Sequence, residues 1–206
     1  MQILSYYLIK SLSFIVTINS CKMKLRTFTL LLITTFFIHH ASAQNAVPTA
    51  ETVLNAALKK ASVEKKKVLV VFHASWCGWC RKMEASLNDP SVKPFFDKNY
   101  VIADLVVYES KGKENLENPG AVDLLKKYNN ADQGLPTWLI FDAQQNLLAD
   151  SQMRPEGAKL GTKGENTGCP SAEKEVQHFL QSLKKSSNPT QADLDKIEAR
   201  FRKNAA

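Results

Sequence analysis

A central mixed sheet with helices on both faces, and one added helix at the C-terminus, is the α/β architecture that three features of the sequence predict. Residues 68–72 (VLVVF) are an apolar run without polar alternation, as expected of a strand covered on both faces, and 100–107 (YVIADLVV) are a second strongly apolar strand. Segments 50–66, 171–185 and 190–202 place their apolar residues at helical spacing instead. The patterns run in the order helix, strand, helix, strand, helix, strand, strand, helix and a final helix, which a mixed sheet accommodates.

A segment of a different kind precedes these elements. Met23-Lys24-Leu25-Arg26, then TFTLLLITTFFI and Ala41-Ser42-Ala43, form the positive start, apolar stretch and small-residue cleavage site of a secretory signal. Residues 1–43 are therefore expected to be a signal peptide, with translation starting at Met23 rather than Met1 and the mature chain at Gln44. The apolar stretch 25–38 is shorter than the roughly 20 residues needed to span a bilayer, so no membrane span is expected in the mature chain. A rival reading makes Ile18-Asn19-Ser20-Cys21 a lipoprotein site with Cys21 acylated. Export across the inner membrane places the chain in the periplasm, where disulfides persist.

The 206 residues carry 27 basic and 20 acidic side chains, a net charge of +7. Lys10, Lys22, Lys24 and Arg26 lie in the signal and no acidic residue does, which leaves 23 against 20, or +3. Nothing in that balance points to nucleic acid.

Residues 44–49 read as a linker, and 50–66 as a helix through Val53, Leu54, Ala57, Leu58 and Ala61. After the strand at 68–72, Trp76, Cys80, Met83 and Leu87 repeat at helical spacing, which puts Cys77 in the first turn of a helix leaving that strand. Asn88-Asp89-Pro90 breaks the helix, 92–98 forms a short one, and 100–107 the second strand. Polar residues 109–118 make a loop, and 119–128 a helix with Pro119 at its opening. Residues 135–141 (LPTWLIF) are a strand behind a proline, with a shorter strand at 146–149. The glycine-rich stretch 151–170 reads as a long loop. Val176, Phe179, Leu180 and Leu183 form the stripe of the next helix. Leu194, Ile197 and Phe201 form that of the last, where Thr190 and Asp193 are spaced as a capping box. One domain at 50–185 and a helical extension at 186–206 are expected.

The chemistry lies in WCGWC, residues 76–80. A structural zinc needs four ligands, and beyond Cys77 and Cys80 the mature chain offers Cys169, His73 and His178 but no second pair. Neither a metal nor a cofactor is expected. A purely structural disulfide across two residues closes too small a loop to stabilise much. A redox centre suits the position better. At a helix N-terminus the unpaired N–H groups and the dipole favour an anion, so Cys77 is the attacking sulfur. Cys80, one turn on, is placed to resolve the mixed disulfide. Gly78 leaves the turn free to close, and Trp76 and Trp79 either shield the sulfurs and meet a partner or simply pack.

The strand, the Trp-Cys-x-x-Cys at a helix start and the later Leu135-Pro136-Thr137 together resemble the thioredoxin superfamily over about 50–185. Arg81, Glu84 and Asp89-Pro90-Ser91-Val92 look closest to its periplasmic branch, which includes the C-terminal domain of the transmembrane thiol:disulfide interchange reductase. The resemblance implies a thioredoxin fold and a thiol:disulfide oxidoreductase. Its substrates would be protein thiols and disulfides, and a membrane or exported electron donor would serve it. It also implies a cis Pro136 beside the dithiol and a Leu135 backbone that pairs with substrate.

Three departures matter. Val71 stands where thioredoxins carry a buried aspartate, so Asp104, the only charge in YVIADLVV, is the candidate proton acceptor for Cys80. A local hydrogen bond is its alternative role. The Gly78-Trp79 dipeptide adds no charge beside Cys77, which implies a potential nearer thioredoxin's, about −270 mV, than a strong oxidant's, about −120 mV. Cys169 is either a covered thiol or a regulatory one, and His73 reads as a strand-end residue more readily than a catalytic one. An exported reductase is thus the leading expectation. A non-catalytic polypeptide-binding module with permanently paired cysteines, or an isomerase or oxidase, stands as the alternative.

Overall fold

Five apolar side chains in a row leave a strand no face to turn to water, and Val68, Leu69, Val70, Val71 and Phe72 are all buried in β1 (Lys67–His73). On one side β1 pairs in parallel with β2 (Tyr100–Val106). On the other it pairs antiparallel with β3 (Thr137–Phe141), which in turn pairs antiparallel with β4 (Leu147–Asp150). The order β2-β1-β3-β4 is the expected mixed sheet. Because β2 is an edge, Ile102 and Asp104 of its otherwise buried run remain in contact with solvent.

The computed structural model describes residues 47–205. The expected signal peptide at 1–43, Met23, Cys21 and Gln44 lie outside them, as do residues 44–46 of the expected linker. The linker's end belongs to the domain. Thr49 Oγ1 accepts the Thr52 N–H at 3.1 Å and so caps α1 (Ala50–Glu64), and the Pro48 carbonyl accepts the Asn118 amide at 2.7 Å.

Alternation along β1 and β3 gives the sheet two cores. Val68, Val70, Phe72, Leu139 and Phe141 face α1 and α4 (Ala121–Lys127). Leu69, Val71, Trp138 and Ile140 face α2 (Gly78–Leu87), α3 (Lys93–Asn99), α5 (Glu173–Ser186) and α6 (Gln191–Arg202). Among the described residues no helix is long and apolar enough to cross a membrane.

The helix of the expected C-terminal extension packs onto the domain. Leu194, Ile197 and Phe201 lie in the same core as α2 and α5, with the Phe179 and Phe201 rings 4.8 Å apart and Arg200 paired to Asp89 at 2.8 Å. An apolar stripe needs a partner, and α6 finds it on the domain itself, so the described residues form one compact unit. The capping box that opens α6 is present, with reciprocal Thr190 and Asp193 bonds of 3.2 and 3.0 Å. One expectation needs correction: 151–170 is not a single long loop. It holds the short antiparallel pair β5 (Gln152–Met153) and β6 (Glu165–Asn166), pinned by a buried bidentate bridge from Arg154 to Asp150 at 2.6 and 2.8 Å. Two-residue strands are too short to leave a periodic signal.

Candidate active site

After β1 the chain turns through Ala74-Ser75-Trp76 and enters α2 with Cys77 as its N-cap. Cys77 holds extended backbone, φ −75° and ψ 106°, and its Sγ accepts the Cys80 N–H at 3.0 Å. The first-turn amides of a helix have no carbonyl partners of their own, so this sulfur occupies the positive end of α2. Cys77 and Cys80 are joined as a disulfide. The pair is almost covered, at 3% and 7% exposure, while Trp76 and Trp79 beside it are 54% and 46% exposed. Trp76 is held by its Nε1–H, which donates to the Tyr108 carbonyl at 2.8 Å, and Lys82 Nζ lies 4.6 Å over the Trp79 ring. Two indoles thus form an apolar collar around a sheltered disulfide.

The Leu135–Pro136 peptide bond is cis. Leu135 packs in one cluster with Ala74, Cys77 and Cys80, so the fold brings the proline loop against the cysteines from 55 residues further along the chain. A groove of about 330 Å³ runs beside it, lined by Trp79, Gly134, Leu135, Asn166, Gly168 and Ser171 among others.

On the opposite flank of α2 a pocket of about 430 Å³ joins Cys80 to Asp104, His73, Arg81 and Glu84. Val71 lies there too, directly across the β1–β2 register from Asp104, so a carboxyl reaches the pocket from the neighbouring strand. Asp104 keeps contact with solvent, yet the pocket walls shield its carboxyl. Burial raises its pKa above the ordinary 3.8, with His73 opposing the rise and Glu84 adding to it.

Three further groups shape the site. Glu109, read from sequence as part of a polar loop, accepts the Ser75 N–H at 2.6 Å and the Ser75 hydroxyl at 2.7 Å. Those bonds hold its carboxyl below the usual range and tie down the turn that delivers Cys77. Arg81 donates to the Ser75 carbonyl at 3.1 Å from the other side. No local pattern marks Glu109, because its partner lies 34 residues earlier. Cys169 is the covered thiol of the two alternatives. It is buried, 3.3 Å from the Asn204 amide, and burial pushes it up to about 12.

The model of a family described as thioredoxin-like matches residues 49–143, which run from the cap of α1 past β3 and contain both cysteines and Pro136. Similar solved structures include a disulphide isomerase from Xylella fastidiosa Temecula1, 20% identical, covering 54% of this chain and 76% of that one with a TM-score of 0.41. They also include the C-terminal domain of DsbD from Neisseria meningitidis in its oxidised form, 22% identical, covering 66% and 99%, with a TM-score of 0.38. No curated protein matches the chain.

Proposed function

We propose that the chain, whose residues 49–143 match the model of a thioredoxin-like family, is an exported thiol:disulfide oxidoreductase that reduces disulfide bonds in other exported proteins. The observation that carries the proposal is the sulfur of Cys77 at the N-terminus of α2, bonded to Cys80 and covered by the proline loop. The signal features of residues 1–43 support export.

In the reduced protein the Cys77 thiolate attacks one sulfur of a substrate disulfide. That S–S bond breaks, and the second substrate sulfur leaves as a thiolate and takes a proton from solvent. Cys80 then gives its proton to Asp104 and attacks Cys77 Sγ. The mixed disulfide breaks, the substrate leaves as a dithiol, and Cys77 and Cys80 remain bonded. Two electrons have passed to the substrate, and a dithiol donor, exported or held in the membrane, restores them. Trp76, Gly78, Trp79, Leu135 and Pro136 form the surface that meets the substrate, with the Leu135 backbone pairing to an extended segment.

Reduction of insulin by dithiothreitol tests this reading. The wild-type protein should accelerate the reaction and Cys77→Ser should abolish the acceleration. No acceleration, with peptide binding indifferent to Cys77→Ser, would instead support a binding module. A titration against glutathione should give a potential nearer about −270 mV than about −120 mV, and a value above about −180 mV would reverse the direction assigned to the chemistry.

A further inference from the structure

Beyond the cysteines, one side chain ties the 151–170 excursion to the proline loop. Asn166, the last residue of β6, reaches with Nδ2 to the carbonyls of Gln133 at 3.1 Å, Gly134 at 3.2 Å and Pro136 at 3.1 Å, and lies 3.4 Å from Thr137 Oγ1. Its Oδ1 accepts the Gly168 N–H at 3.2 Å. The orientation of the carboxamide follows from these partners, since the carbonyls need a donor and the N–H an acceptor. Two amide hydrogens serve several oxygens, so the bonds are shared.

The arm that carries Asn166 is itself fixed. Gln152 pairs with Asn166 across β5 and β6, and its Oε1 accepts the Gly164 N–H at 3.0 Å. Thr167 donates to the Ser151 carbonyl at 2.8 Å, and Trp138 Nε1–H to the Gly168 carbonyl at 3.1 Å. Gly164 lies so close to the Met153 carbonyl that a Cβ there would overlap it. Arg154 closes the stem through Asp150 and the Thr162 carbonyl at 2.6 Å. A rigid stem therefore delivers one carboxamide to the loop that carries Leu135 and Pro136. Asn166, Gly168 and Ser171 line the same groove as Trp79 and Leu135.

We propose that Asn166 is a positioning residue for substrate recognition. By holding the carbonyls of Gln133, Gly134 and Pro136 it fixes the edge that an extended polypeptide meets, and the arm from Asn166 to Ser171 forms the second wall of the groove. This deepens the oxidoreductase reading and rests on it. Asn166 bonds neither sulfur, so its role shows in binding rather than in sulfur chemistry.

Asn166→Asp keeps the shape of the side chain and removes every donor, and Asn166→Ala removes the donors without adding charge should the aspartate prevent folding. With the full chain, the KM for insulin should rise about fivefold or more with kcat held. The reduced protein should still react with 5,5′-dithiobis(2-nitrobenzoate), a small disulfide that needs no groove, at the wild-type rate. Amide exchange at Gly134, Leu135 and Thr137 should quicken. An unchanged KM in an active background, or equal losses toward insulin and the small disulfide, would overturn the inference alone. Wild-type protein inert toward insulin would remove the oxidoreductase reading and this inference with it.

Discussion

At Asp104 the pocket beside Cys80 shields a carboxyl on an edge strand, and burial raises its pKa from 3.8. The folded chain therefore holds this proton more tightly than the unfolded chain does. Stability is fully present below pH 3.8 and is lost as pH rises through the raised value. Asp104→Asn removes that loss, so the variant should resist urea better than wild type at pH 7 and show no advantage below pH 3.8. The same change removes the acceptor proposed for Cys80, and quenched reactions should then show a longer-lived mixed disulfide with substrate. An unchanged lifetime would confine Asp104 to a structural role. Cys169 makes a second test at this scale. Buried and pushed up to about 12, it should resist iodoacetamide at pH 8 in the folded, oxidised protein and react once urea unfolds it. Labelling of the folded protein would contradict its burial. Cys77 is legible in the sequence because the two-residue spacing after a strand is itself the chemistry. Glu109 and Asn166 are not, since each acts on a partner 30 or more residues away.

Among elements, α6 is where packing departs most from the linear reading. Its stripe and its capping box are visible in the sequence, but no periodicity says whether such a stripe meets a partner protein or its own domain. The buried Phe201 ring against Phe179 answers that. Phe201→Ala should cost about 3–5 kcal/mol in urea unfolding, as a large core truncation does. A loss below about 1 kcal/mol would mean that α6 is peripheral. Boundaries shifted for local reasons. α1 ends at Glu64 rather than 66 because Lys65 turns to a positive φ of 56° and donates its N–H to Ala61. α4 begins at Ala121, after a Gly120 with φ 84°, rather than at Pro119. The β5–β6 pair escaped the sequence reading because its pairing is made by hydrogen bonds over two residues, with no apolar face to impose a period.

At the scale of the molecule, the alternation of buried strands with amphipathic helices is enough to specify a mixed sheet, and the cysteine pair and proline then fall at one end of it. What the alternation does not carry is the meeting of distant loops at that end. Glu109 and Tyr108 hold the turn before Cys77, and Asn166 holds the loop of Pro136. The proposed redox function rests on one consequence of the architecture, that α2 points its N-terminus at the sulfur of Cys77. In a Cys80→Ser variant, with Cys169 covered, the pH dependence of alkylation reports Cys77 directly. The midpoint should fall clearly below the roughly 8.5 of free cysteine, and a midpoint at or above that value would overturn the redox reading.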